Sequence, residues 1–158
     1  MAEFRFDYDV FPDMESMPEP FKPLLAKARA CCLTAYAPYS GFNVGAAVLL
    51  ENGSVIPGVN IENASYPVGI CAERSALSAA ISQFPDQKIN AIAISYDTSS
   101  GAGIPVFPCG MCRQFLAECE DRNAAPIPVI LSGQHGQVIL IRSVLQLLPF
   151  HFSGTDLS

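Results

Sequence analysis

Short apolar runs alternate along the chain with longer amphipathic stretches, and the spacing within each decides the element it predicts. Residues 1–17 mix acidic and aromatic side chains without a clean period and are read as an N-terminal arm lying on the domain. Pro18, Pro20 and Pro23 punctuate a helix start, because proline suits a first turn. LLAKARACCLTAY then extends the helix over Lys22–Tyr36. After the loop Ala37–Gly41, Val44–Leu50 reads as a strand, and Asn52-Gly53 turns tightly into a second strand, Val55–Asn60. Loop 61–70 leads to a helix over Cys71–Gln83. Ile89–Tyr96 is continuously apolar, as a strand covered on both faces of a sheet should be. The Gly/Ser/Pro loop Asp97–Phe107 feeds a further helix over Cys109–Asp121. Ile127–Leu131 and Val138–Ile141 read as strands joined at Gly133–Gly136, followed by a short helix near Ser143–Leu148 and a tail.

Helices interleaved with strands in this order imply a three-layer α/β/α sandwich on a mixed five-stranded sheet. With 158 residues, the chain is expected to be one domain over 18–158, preceded by the arm 1–17.

Composition narrows the partners. Half the residues are hydrophobic and 15% are charged, which fits either a compact core or surface hidden in an oligomer. The net charge is −6 and the nine Lys and Arg are scattered, so no basic face for nucleic acid is expected. The N-terminus, MAEFRFDYDVF, is acidic and lacks the basic start and apolar stretch of a leader. No apolar run approaches the ~20 residues that cross a bilayer. A cytoplasmic protein without membrane or nucleic-acid partners is the expectation. In that setting six cysteines point to metal binding rather than disulfides.

Three of those cysteines are grouped. Cys71-Ala72-Glu73-Arg74 and Pro108-Cys109-Gly110-Met111-Cys112 both fall where a strand or loop feeds a helix. Helix N-termini favour negative charge and so favour thiolates. Three thiolates fill three corners of a zinc tetrahedron and leave the fourth for water, the mark of a catalytic site. Glu73, two residues from a ligand, is placed to move a proton without binding metal. Alone it would be an ordinary first-turn glutamate; beside zinc-type cysteines the catalytic reading prevails. Arg74 is placed to hydrogen-bond the ligand sulfurs and withdraw negative charge, against the plainer reading of a surface ion pair. A redox Cys-x-x-Cys would not need a third cysteine with an adjacent glutamate. His135, His151 and Cys119 lack the spacing of a fourth, closing ligand. Cys31 and Cys32, adjacent on a helix, suit buried packing.

The motifs AYAPYSGFNVGAAV (35–48), NIENASYPVGICAER (60–74), PCGMCRQ (108–114) and LLPFHFSGTDL (147–157) occur in this order, and the chain resembles the short, homotetrameric, free-nucleoside cytidine deaminases. That resemblance implies hydrolytic deamination of cytidine and 2′-deoxycytidine to uridine and 2′-deoxyuridine in pyrimidine salvage, with one zinc per chain. It implies Cys71, Cys109 and Cys112 as zinc ligands, Glu73 as proton shuttle and Arg74 as moderator of the thiolates. It further implies Asn60 and Glu62 on the sugar 3′-hydroxyl, Phe42 as an aromatic wall, and the backbone of Ala72 on the base. Tyr66 and Phe152 would be lent by neighbouring subunits, with Phe152 stacking on the base. Phe107 departs from the serine usual before the Pro-Cys pair, and loop 97–107 is slightly long; both bear on substrate choice. The alternatives are a deaminase of a cytosine nucleoside antibiotic such as blasticidin S, and a non-enzymatic zinc module.

Overall fold

The protein is represented by a computed structural model that describes residues 1–101 and 103–157. Its elements are β1 (Tyr8–Phe11), α1 (Lys22–Cys31), β2 (Asn43–Leu50), β3 (Val55–Val59), α2 (Ala72–Gln83), β4 (Ile89–Asp97), α3 (Gly110–Asn123), β5 (Val129–Ser132) and β6 (Val138–Ile141). Six strands form one sheet in the order β1-β6-β5-β4-β2-β3. Only β4 and β5 run parallel, joined through α3; the other pairs are antiparallel.

The period of two along β2 and β4 sorts the core into two layers. Ala46, Val48, Leu50, Ile92 and Ile94 face one side, where they meet Ala76 and Leu77 of α2 and Leu116 of α3. Ala47, Ala91 and Ala93 face the other and meet Leu24, Leu25 and Ala28 of α1. The α1 residues recur at helical spacing, so one stripe of that helix is buried. Fully burying each Leu or Ile contributes about 1.5–3 kcal/mol, which makes these two layers the main stabilising element.

The sixth strand corrects the five-stranded expectation. Tyr8–Phe11, within the stretch read as an arm, pairs with β6 in register Tyr8↔Ile141 to Phe11↔Val138. The strand is short, with alternately exposed and half-buried residues, so its pattern is weak. What forms it is the otherwise open edge of β6, together with the Arg142–Asp9 pair at 2.7 Å.

Two boundaries shift for local reasons. The first helix stops at Cys31 rather than Tyr36, with a 3₁₀ turn over Cys32–Thr34. Beyond it Tyr36 exchanges backbone hydrogen bonds with the 60–62 segment, through Asn60 O at 3.1 Å and Glu62 N at 2.8 Å. β5 begins at Val129 rather than Ile127, because the Ile127 N–H donates to the buried Glu120 carboxylate at 2.8 Å. Glu120 also accepts from Val144 N at 2.9 Å and from the Ser143 hydroxyl, tying α3 to the turn Val144–Leu147.

Gly58 sets the height of α2 above the sheet. A Cβ there would lie 2.3 Å from Ala76 N and 2.7 Å from Ala72 O, atoms of the backbone that cannot swing aside. Gly58→Ala is therefore expected to destabilise by about 1–3 kcal/mol, the usual cost of overpacking. A thermal melt measures it, and an unchanged Tm would contradict the close approach. Activity should fall as well, since Ala72 opens the helix that carries Glu73.

Candidate active site

The strands deliver their ends to one edge of the sheet. Asn43 at the start of β2 is opposite Asp97 at the end of β4, and Gly45 is opposite Val59 at the end of β3. β3 leads through loop 61–70 into α2, and β4 through loop 97–107 into α3; Ala102 of that loop lies outside the described residues. Both helix N-termini consequently open on the same crevice, which holds a cavity of about 730 Å³.

Cys71 is the N-cap of α2 and Cys109 the N-cap of α3. Cys112 follows one turn into α3 and is buried. The Cys71 and Cys109 sulfurs are 3.8 Å apart and those of Cys109 and Cys112 3.5 Å apart, with all three within 4.8 Å of one another. Zinc–sulfur bonds of about 2.3 Å at tetrahedral angles place sulfurs roughly 3.8 Å apart, so the cluster has the size the ion requires. It is the only such group among the described residues. Cys119 is buried, which raises its thiol to about 11, and His151 pairs with Asp121 at 3.3 Å. Neither completes a closed site.

Electrostatics favour one thiolate already. Hydrogen bonding from Cys112, followed by that from Arg74 and Cys109, lowers Cys71 to about 5 against the opposing effect of burial. Cys112 moves the opposite way, raised first by sharing its proton with Cys71 and then by burial. The Arg74 guanidinium reaches Cys71 Sγ at 3.9 Å and Gly69 O at 3.4 Å, and its buried Nε has no partner among the described residues. Glu73 is only 5% exposed, and burial raises its carboxyl above the ordinary range. It lines the cavity beside Cys71, ready to hold a proton.

Of the other expected residues, Phe42, Asn60, Glu62, Tyr66 and Ala72 all line this cavity. Asn60 is engaged by the backbone: its side chain accepts from Val44 N at 2.7 Å and donates to Phe42 O at 2.8 Å. Glu62 accepts from Tyr39 N at 2.9 Å and from the Ser40 hydroxyl, contacts that lower its carboxyl and fix its direction. Tyr66 packs edge-on against Tyr39 at 6.2 Å. Phe152 is not brought to the cavity of its own chain. It is 58% exposed, and its carbonyl accepts from Gln114 at 2.7 Å.

Sequence reasoning missed Tyr39, Ser40 and Met111, which also line the cavity. Tyr39 and Ser40 sit in the Ala37–Gly41 loop, where no periodicity flags a side chain. Met111, between the paired cysteines, had a motif position but no chemistry of its own to draw attention.

A family model described as the cytidine and deoxycytidylate deaminase zinc-binding region matches residues 20–125, a span that takes in all three clustered cysteines and Glu73. The chain belongs to that family. A cytidine deaminase of Halalkalibacterium halodurans is 46% identical over 124 residues, covering 78% of this chain and 87% of its own length. One of Sporosarcina psychrophila is 42% identical over 135 residues, covering 85% and 93%. The crystal structure of cytidine deaminase from Burkholderia pseudomallei superposes with a TM-score of 0.72 at 38% identity, covering 86% of this chain and all of that one. The zinc-binding character of the family and the sulfur spacing agree: the protein is a zinc-dependent deaminase, and Cys71, Cys109 and Cys112 are positioned to hold the ion.

Proposed function

We propose that the protein hydrolyses cytidine and 2′-deoxycytidine to uridine and 2′-deoxyuridine. Water supplies the oxygen, the bond from the ring carbon to the exocyclic nitrogen breaks, and ammonia leaves. The observation carrying this reading is the buried Glu73 carboxyl in one cavity with three sulfurs at zinc-ligand spacing. Cys71, Cys109 and Cys112 would hold the zinc ion, which when bound would supply Lewis acidity and bring the pKa of water toward neutrality. Glu73 takes a proton from the attacking water, gives it to the neighbouring ring nitrogen, and then serves the departing amine. Its raised proton affinity suits both halves of that task. Arg74 draws charge from the Cys71 thiolate. Phe42 offers a flat apolar face to the base, while Glu62 and Asn60, fixed by their own hydrogen bonds, orient the sugar 3′-hydroxyl. The free N–H groups at the start of α2, near Ala72, face polar atoms of the ring.

The ultraviolet change on conversion of cytidine to uridine, with ammonia measured in parallel, tests the assignment. Purified zinc-loaded protein that releases no ammonia from cytidine would reject it. Blasticidin S belongs in the same assay, because Phe107 lines the cavity mouth.

The working form is read as a homotetramer with shared sites, in the cytoplasm. Exposed apolar side chains lining the cavity, Tyr66 at 78% and Ile61 at 45%, with Val68 nearby in sequence at 65%, support a covering neighbour. So does the exposed tail, with Phe150 at 99% and Phe152 at 58%. Six free thiols fit a reducing compartment. Among the described residues no helix is long and apolar enough to cross a membrane. Mixing tests the sharing: Phe152→Ala and Glu73→Gln are each expected to be nearly inactive alone. Co-expressed, they should regain part of the activity, because some sites then combine an intact Glu73 with a neighbour's intact Phe152. Mixed oligomers as inactive as their parents would confine Phe152 to its own subunit.

A further inference from the structure

We propose that Tyr96 is a positioning residue for the aromatic wall of the cavity, acting on the nucleoside only through Phe42. The proposal rests on the deaminase reading given above. Tyr96 lies near the end of β4, opposite Val44 of β2, and is 8% exposed. Its ring stacks on Phe42 with centroids 5.0 Å apart and planes 12° from parallel. Phe42 lines the cavity and Tyr96 does not, so the tyrosine lies behind the wall.

The backbone alone leaves that wall loose. Phe42 N donates to the Ser40 hydroxyl at 3.0 Å, and Phe42 O accepts from Asn60 at 2.8 Å. These contacts fix the main chain just before β2 but not the side-chain torsions. Phe42 is 36% exposed, and the near-parallel Tyr96 ring stacks against it from behind, a contact that orients its plane. An ordered wall spares the substrate the entropy of ordering it on binding. Glu73 and the three cysteines are held by α2 and α3, so the chemical step does not depend on this stack.

The expected result is therefore a split between KM and kcat. Tyr96→Leu should raise KM for cytidine about twofold to tenfold, the range one aromatic pair contributes, with kcat little changed. Tyr96→Phe keeps the ring and should restore the wild-type KM. In a Phe42→Leu background, Tyr96→Leu should add nothing further to KM, because its route of action is gone. A purely structural tyrosine would instead lower Tm without moving KM, or add its full effect to that of Phe42→Leu; either result overturns the proposal. Should Tyr96→Leu fail to fold, Tyr96→Ile suits the strand and serves in its place. If wild-type protein turns over no cytidine, the deaminase reading falls first. Calorimetric binding of uridine to the same proteins then decides the role of Tyr96. A weaker Kd in the Leu variant alone supports the role, and equal Kd values or absent binding overturn it.

Discussion

Replacing Cys109 by alanine is expected to remove zinc and activity together. Cys109 supplies one of three sulfurs within 4.8 Å of one another, and the described residues offer no fourth protein ligand to compensate. Two sulfurs on a mobile ion hold it far less well than three. The loss in affinity should exceed the about 10–100-fold typical of removing an outer-shell partner. The fold should survive, because the Cys109 side chain makes no capping hydrogen bond to the α3 backbone and the residue is exposed. Metal analysis after dialysis, beside a melt and a turnover assay, separates the two effects. A Cys109→Ala protein with full zinc and normal kcat would place the metal elsewhere.

Glu73→Gln is expected to keep the zinc and lose the reaction. Glutamine preserves shape and polarity but has no exchangeable carboxyl proton. One acid–base group is worth about 10²–10⁴-fold in rate, and the proposed mechanism gives Glu73 two proton transfers, so the loss should reach at least that range. Near wild-type turnover would show that another group moves the proton. The same variant carries a stability signature. Burial raises Glu73 above its ordinary value of 4.5, so the folded state binds this proton more tightly than the unfolded chain does. That contribution is complete below the unfolded value and is lost as pH rises through the folded one. Glutamine never ionises. In metal-free protein the stability of Glu73→Gln relative to wild type should thus increase with pH across that window, by thermal melts at several pH values.

Much of the site could be read from local pattern, because its chemistry is concentrated at helix starts. The Cys-x-x-Cys spacing places both sulfurs within one turn, and Glu73 follows Cys71 in the first turn of α2. Continuous apolar runs likewise marked β4 and β6, which are buried along most of their length. The edge strand β1 escaped notice because its four residues carry little pattern of their own and owe their form to the open edge of β6. The ends of α1 and β5 moved because Tyr36 and Ile127 satisfy backbone groups outside the predicted element, Tyr36 with the 60–62 segment and Ile127 with the Glu120 carboxylate.

What the sequence determined by itself is which groups are available: three thiols, one adjacent carboxyl, an arginine beside it, and the helices that present them. Short-range geometry suffices for that, since each motif spans a turn or less. Tertiary structure alone decided that Cys71 and Cys109, 38 residues apart, bring their sulfurs to 3.8 Å. It alone buried Glu73 and so raised its proton affinity. It also set Tyr96 behind Phe42, since neither residue has a local pattern naming the other. Solvent exclusion and contact between distant segments depend on how β2, β3 and β4 align their ends under two helices. Those are properties of packing, which no local stretch of sequence contains.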